Sequence, residues 1–175
     1  MAVLVVSDPT LVVLIGAAGS GKSTFAASHF ASAEILSSDV FRTAIAGDPT
    51  DQSVTGAAFK ALHAALARRL LAGRLTVVDA TNLTASARRS LTSRARAAGI
   101  PAVAIVLDLA PDTVLARNAG RMGRVVPEDV VRRHLAQVRR LVDDGALGRD
   151  GFERIVILRD SRELEAFEIQ RNAGR

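Results

Sequence analysis

Five short apolar runs punctuate the chain: "LVVLI" (11–15), "EILSS" (34–38), "LTVVD" (75–79), "AVAIVL" (102–107) and "RIVIL" (154–158). The stretches between them carry apolar residues at helical spacing. Runs this continuous, spaced by helices, predict parallel strands covered on both faces. The intervening periodicity predicts helices after Gly21, from about Asp39, from about Val54 to Ala72, from Thr84 to Ala98, from Asp112 to about Asn118 and from Pro127 to about Asp143. The fourth is the best bounded, with Thr84 as N-cap, Gly99 at its C-terminal stop and Pro101 just beyond. This alternation predicts an α/β fold, an open doubly wound parallel sheet flanked by helices, whose ligands gather beyond the C-terminal ends of the strands. One domain over 1–175 is expected, with its core at about 11–158. Residues from about 169 onward, including "QRNAGR" (170–175), are expected to form a frayed tail.

Composition narrows the class. Half the 175 residues are hydrophobic (49%), yet the aromatic content is six Phe with no Tyr or Trp, so aliphatic side chains must fill the core. The absence of cysteine excludes a disulfide framework, a thiolate metal site and a cysteine nucleophile, and fits a cytoplasmic location. "MAVLVVSDPT" lacks a basic leader region, and Asp8 and Pro9 interrupt its apolar stretch. No run approaches the roughly twenty apolar residues of a membrane-spanning helix, so no membrane partner is expected. The net charge of +5 rests almost wholly on arginine, whose planar fork suits phosphate oxygens. Arginine-favouring base composition accounts for most of that total, so each arginine is weighed by position.

The first apolar run leads directly into "GAAGSGKST" (16–24), in which Gly16, Gly21, Lys22 and Ser23 fit G-x-x-x-x-G-K-S/T. In such a loop glycines let successive backbone N–H groups converge on phosphate oxygens, and a helix N-terminus adds its positive dipole end. Gly16, Gly19, Ser20, Gly21, Lys22, Ser23 and Thr24 are the candidate nucleotide-binding residues. Lys22 is expected to reach the β- and γ-phosphates, and Ser23 to ligate Mg²⁺. No N-K-x-D guanine-reading sequence follows, so ATP is the expected nucleotide.

The phosphoryl acceptor is less directly written. In "SSDVFR" (37–42) Asp39 and Arg42 stand three apart in what should be a first helical turn. Asp39 as base for an attacking hydroxyl with Arg42 on the acceptor, and a helix cap with a surface ion pair, are both consistent with this stretch. "VVDATN" (77–82) ends the third strand and places Asp79 where a second acid can act on the metal through water. Asn82 fits either the site or a turn. "ARNAGRMGRVVPEDV" (116–130) carries Arg117, Arg121 and Arg124, whose spacing aligns them on one side if the segment is helical, with Gly120 and Gly123 to let it move. Three like charges so placed suit a lid closing over a triphosphate. The pairs Arg132–Arg133 and Arg139–Arg140 read instead as a solvated helical face. His29, His63 and His134 make no metal-binding spacing and are assigned no role.

Together, "GAAGSGKSTFAASHF", "SSDVFR", "DQSVTGAAF", "LTVVDATN" and "RNAGRMGRVVPEDVV" resemble, in order and spacing from Leu11 to Leu158, the kinase module of bacterial polynucleotide 5'-kinase/3'-phosphatase end-repair proteins. The resemblance implies transfer of the ATP γ-phosphate, with Mg²⁺, to 5'-hydroxyl ends of RNA or DNA. It implies Asp39 as general base, Arg42 beside the acceptor end, and Arg117, Arg121 and Arg124 as lid arginines. It also sets Gln52 and Thr55 against the acceptor backbone. In many relatives a phosphatase and a ligase-like module follow in the same chain, whereas no sequence after Leu158 here could hold a metallophosphatase. A free-standing or excised kinase without 3'-phosphatase activity is therefore expected, and the sequence leaves open whether separate phosphatase and ligase partners supply the missing steps. A small-molecule kinase of the gluconate or shikimate type and a nucleotide-dependent ATPase switch are the alternatives.

Overall fold

Five of the six residues of "LVVLIG" are apolar and all six are buried, because this strand lies at the centre of a sheet covered on both sides. The computed structural model describes residues 3–122 and 125–172. Its main sheet holds β2 (Leu11–Gly16), β3 (Ile35–Ser37), β4 (Thr76–Asp79), β5 (Ala102–Leu107) and β6 (Arg154–Leu158), all parallel, in the order β3-β4-β2-β5-β6. Each of the five runs read from the sequence is a strand. The helices are α1 (Lys22–His29), α2 (Ser38–Ala46), α3 (Thr55–Leu71), α4 (Ala85–Ala97), α5 (Pro111–Ala119), α6 (Glu128–Asp143) and α7 (Ser161–Ala166). The first six fall where the periodicity sets them, and Thr84 caps α4 by accepting from the Ala87 N–H.

Alternate side chains of each strand leave opposite faces of the sheet. Leu11, Val13 and Ile15 pack with Leu62, Leu66 and Leu70 of α3 and Leu91 of α4. Val12 and Leu14 pack with Phe25 of α1, Phe30 and Phe167. A third cluster of Ala17, Leu109, Val114, Val126 and Val131 seats α5 and the start of α6 behind the loop that follows β2. That placement brings one end of both helices to the C-terminal edge of the sheet.

Two elements depart from the reading of the sequence. "VLVVS" (3–7) forms β1, and Glu168–Asn172 forms β7, paired in parallel from Val3↔Glu168 to Ser7↔Asn172. The expected frayed tail is thus strand as far as Asn172, and 173–175 lie outside the described residues. The ribbon holds because Leu4 and Val6 alternate inward onto the Phe25–Phe30–Phe167 cluster. Arg171 fixes its far end, donating to both Glu34 oxygens at 2.6 and 2.7 Å and lying 5.9 Å over the Phe30 ring.

A buried ion pair locks α4 to the chain before β6. Arg88 donates through Nε to Asp150 Oδ2 at 2.6 Å and through a terminal nitrogen to the carbonyls of Asn82 and Leu83, while the Thr92 hydroxyl donates to the Asp150 carbonyl. Both partners are almost wholly buried. Removing one leaves the other charge uncompensated, so Asp150→Ala is expected to destabilise the fold by about 3–5 kcal/mol, read as a lowered denaturant midpoint. A loss under about 1 kcal/mol would show that Arg88 reaches water.

Candidate active site

The loop between β2 and α1 is built for anions. Gly19 and Gly21 adopt positive φ (+83° and +96°), which L side chains rarely reach. A Cβ on Gly19 would also stand 2.9 Å from Asn118 Cβ and 3.1 Å from the Val114 carbonyl, so the loop's curvature and its contact with α5 both require glycine there. Lys22 begins α1 and folds back across the loop, donating to the Ala17 carbonyl at 2.7 Å and the Gly16 carbonyl at 3.0 Å, with Ser20 Oγ at 3.5 Å. Burial pulls its ammonium down to about 8; the carboxylates of Asp79 and Asp39 act upward against this and Arg121 acts downward with it. A buried ammonium held by two loop carbonyls and the Ser20 hydroxyl is a strong receptor for a phosphate, whose charge offsets the desolvation.

Ser23 and Asp79 meet beside it. The Ser23 hydroxyl donates to Asp79 Oδ2 at 2.7 Å from the end of β4, and Asp79 is buried. A hydroxyl and a carboxylate side by side are hard oxygen donors of the kind Mg²⁺ takes. Among the described residues no group of three His, Cys, Asp or Glu gathers to form a fuller cage. The set suits a cation that keeps most of its shell from water and nucleotide phosphate, as Mg²⁺ does.

Asp39 and Arg42 come together on the first turns of α2, joined by a short contact from an Arg42 terminal nitrogen to Asp39 Oδ1. Arg42 is nine-tenths buried, and its Nε has no partner among the described residues. Asp39 is 41% exposed. The surface ion pair that the sequence left open is therefore only half right, since the cation is inside. Thr55 Oγ1 and Gln52 Oε1 lie 3.3 Å apart at the start of α3, bordering the same space.

One cleft of about 1290 Å³ joins these groups. Ser28, His29, Leu164 and Glu165 line it, as do Lys22, Ser23 and Asp79, and α2 with the start of α3 contributes Asp39, Arg42, Gln52, Thr55 and Phe59. Arg117 and Arg121 line it as well. They do not share one helix: α5 stops at Ala119, where the Gly120 N–H caps the Ala116 carbonyl, so their alignment does not come from helical spacing. Arg117, in the last turn, donates to the Ser20 carbonyl at 3.3 Å and to Ser161 Oγ at 3.1 Å. Arg124 lies outside the described residues.

Several contacts were not legible in the sequence. Asn118 donates to the Val126 carbonyl at 2.7 Å and accepts from the Val126 N–H at 3.1 Å, clasping the base of the α5–α6 connection. His134 of α6, given no role above, takes the Ala18 N–H of the phosphate loop at Nδ1, 3.4 Å away, and lines the cleft. Asn82 is structural, its amide donating to the Leu14 carbonyl at 2.8 Å. Arg132 and Arg133 pair with Glu128 and Asp129 as a solvated face should, but Arg139 reaches the buried Asp108 at 3.2 Å. Among the described residues no helix is long and apolar enough to cross a membrane.

No curated protein matches the chain. A chain from the structure of the Pnkp1/Rnl/Hen1 RNA repair complex matches with TM-score 0.62 at 23% identity, covering 79% of this chain and 47% of that one, so this chain spans about half its length. A gluconokinase from Sinorhizobium meliloti 1021 matches with TM-score 0.54 at 20% identity, covering 91% and 87%. The AvrRxo1-ORF1:-ORF2 structure with ATP matches with TM-score 0.65 at 18% identity, covering 82% and 51%. These likenesses establish the shared fold, a five-stranded parallel sheet flanked by helices. The family model described as "AAA domain" matches residues 11–144, and the chain belongs to that family.

Proposed function

We propose that this protein is an ATP-dependent polynucleotide kinase, transferring the γ-phosphoryl group to 5'-hydroxyl ends of RNA or DNA. The observation that carries the reading is the continuity of the cleft from the Lys22 loop to the Asp39–Arg42 pair. A donor phosphate at the first can face an acceptor hydroxyl at the second.

In this reading the backbone of 16–23 and Lys22 hold the β- and γ-phosphates. Arg117 and Arg121, with Arg124, neutralise charge that develops on the transferring group. Asp39 takes the proton of the 5'-hydroxyl as the new O–P bond forms and the bond from the γ-phosphorus to the β–γ bridging oxygen breaks, releasing ADP. Arg42 holds the Asp39 carboxylate in place and offers its remaining donors to the phosphate that follows the acceptor nucleoside. Gln52 and Thr55 border the acceptor backbone. Ser23, with Asp79 through water, would hold Mg²⁺, whose positive charge stabilises the β- and γ-oxygens. No covalent enzyme intermediate is needed.

The near-complete mutual coverage with the gluconokinase favours a second reading, a small-molecule kinase in which Arg42 grips a carboxylate. Label transfer from γ-labelled ATP decides between them, using matched RNA and DNA oligonucleotides with a 5'-hydroxyl or a 5'-phosphate, gluconate, and no acceptor. Label is expected on the 5'-hydroxyl strands alone. Label on gluconate and on no strand would install the small-molecule reading, and phosphate release without any acceptor would install an ATPase.

A further inference from the structure

The charge of the chain is unevenly placed. Of its 23 cations and 18 carboxylates, eight and one fall between Thr55 and Ala97, leaving fifteen and seventeen elsewhere. The net excess therefore belongs to the layer of α3 and α4, and the rest of the molecule is slightly acidic. The single carboxylate of that segment is Asp79, buried at the cleft. Of the eight cations, Arg88 is consumed by Asp150, and Arg69 is spent on Thr76 and on the carbonyls of Ala33 and Leu75. Lys60, Arg68, Arg74, Arg89, Arg94 and Arg96 are exposed.

This face differs from the other arginine-rich helix. On α6 three of the four exposed arginines answer to carboxylates: Arg132 to Glu128, Arg133 to Asp129, Arg139 to Asp108, while Arg140 has no ion pair among the described residues. Among the described residues none of Lys60, Arg68, Arg74, Arg94 or Arg96 is ion-paired, and only Arg89 meets Asp150. Arg94 donates instead to His63 of α3 at 3.1 Å, which ties the two helices into one surface. Unneutralised like charges at this density repel one another, and that cost is recovered only when a polyanion covers them.

The face also begins where the cleft ends. Thr55 and Phe59, in the first turns of α3, line the acceptor end beside Gln52, and Lys60 follows directly. From Thr55 to Arg68 the helix runs about 20 Å, at about 1.5 Å per residue. At its far end Arg68, Arg69 and Arg74 surround a shallow depression of about 260 Å³. Phe59, the one Phe of the two helices, lines the cleft, and the face carries no Tyr or Trp, so its one ring is the part-buried His63 imidazole held by Arg94.

Resting on the polynucleotide reading above, we infer that the outer face of α3 and α4 is a track for the phosphate backbone of the acceptor strand downstream of its 5' end. It reads charge, not bases, so binding along it is independent of sequence and steeply dependent on salt. Long acceptors gain affinity from it, and dinucleotides do not reach it.

The test compares a 5'-hydroxyl dinucleotide with a 20-mer, in wild type and in a variant with Lys60→Gln, Arg68→Gln, Arg94→Gln and Arg96→Gln. Arg132→Gln with Arg133→Gln on α6 is the control, and thermal midpoints check that each protein is folded. Wild type is expected to favour the 20-mer in kcat/KM, and the variant to lose that preference by about tenfold or more through KM. Its slope of log affinity against log salt should shrink by about two to three, since each single-strand phosphate contact contributes about 0.7. The control keeps both the preference and the slope. An unchanged length preference and slope in the variant would overturn the track while leaving the kinase reading standing. Failure of wild type to label either acceptor would overturn both. Polyglutamate binding as tight as the 20-mer at equal charge would assign the face to acidic polypeptides and overturn the track.

Discussion

Asp39→Ala is expected to lower phosphoryl transfer to a 5'-hydroxyl oligonucleotide by about 10²–10⁴, the range that a positioned general base contributes. ATP affinity should change by less than about twofold, because the carboxylate faces the acceptor end of the cleft and Lys22 is held by the phosphate loop itself. Asp39 is also bound to Arg42, whose guanidinium is buried, so alanine leaves a cation there without its carboxylate. Some activity would then be lost through a disturbed α2, and alanine alone cannot separate the two causes. Asp39→Asn does so. Its amide oxygen still accepts from Arg42, but it cannot take up a proton at neutral pH. Asparagine is expected to be about as inactive as alanine while its thermal midpoint stays nearer the wild-type value. Activity within about fivefold of wild type in the asparagine variant would remove Asp39 as the base and leave it as the tether of Arg42.

Legibility from sequence followed how locally each feature is determined. The central strands could be read because burial on both faces demands unbroken apolar runs, and the helices because each buries one stripe against that sheet. The donor half could be read because a phosphate-binding turn imposes glycines at fixed positions, as the clash of a Cβ on Gly19 with α5 demonstrates. The β1–β7 ribbon could not. Its strands lie at opposite ends of the chain, and "EIQRN" carries a single apolar residue, so nothing local marks it as a strand. The acceptor half was half legible: the spacing of Asp39 and Arg42 predicts their contact, but the burial of Arg42 comes from the packing of α2 on α3 and the sheet. His134 shows the same limit, since its contact with Ala18 crosses 116 residues. Arg139 looked like its solvated neighbour Arg140, and only the fold reveals Asp108 behind it.

That last difference sets the control for the second large effect. Arg117→Ala is expected to lower turnover by about 10³ or more, as loss of an arginine from developing phosphoryl charge does in related transfers, and to weaken ATP binding as well. The double effect follows from where Arg117 sits. Besides facing the cleft, it donates to the Ser20 carbonyl and to Ser161, so it braces the phosphate loop against the start of α7. Arg121 is exposed beyond the end of α5, yet its charge reaches Lys22, so Arg121→Ala should act on turnover with a smaller change in ATP affinity. Arg139→Ala is a poor control, because it strips a partner from the buried Asp108. Arg133→Ala removes only an exposed pair with Asp129 and should leave turnover within about twofold. Turnover and ATP affinity measured for all three variants provide the check. Equal losses in Arg117→Ala and Arg133→Ala would mean that Arg117 contributes general positive field and not contact with the transferring phosphate. A loss confined to ATP affinity would leave it as a brace of the loop alone.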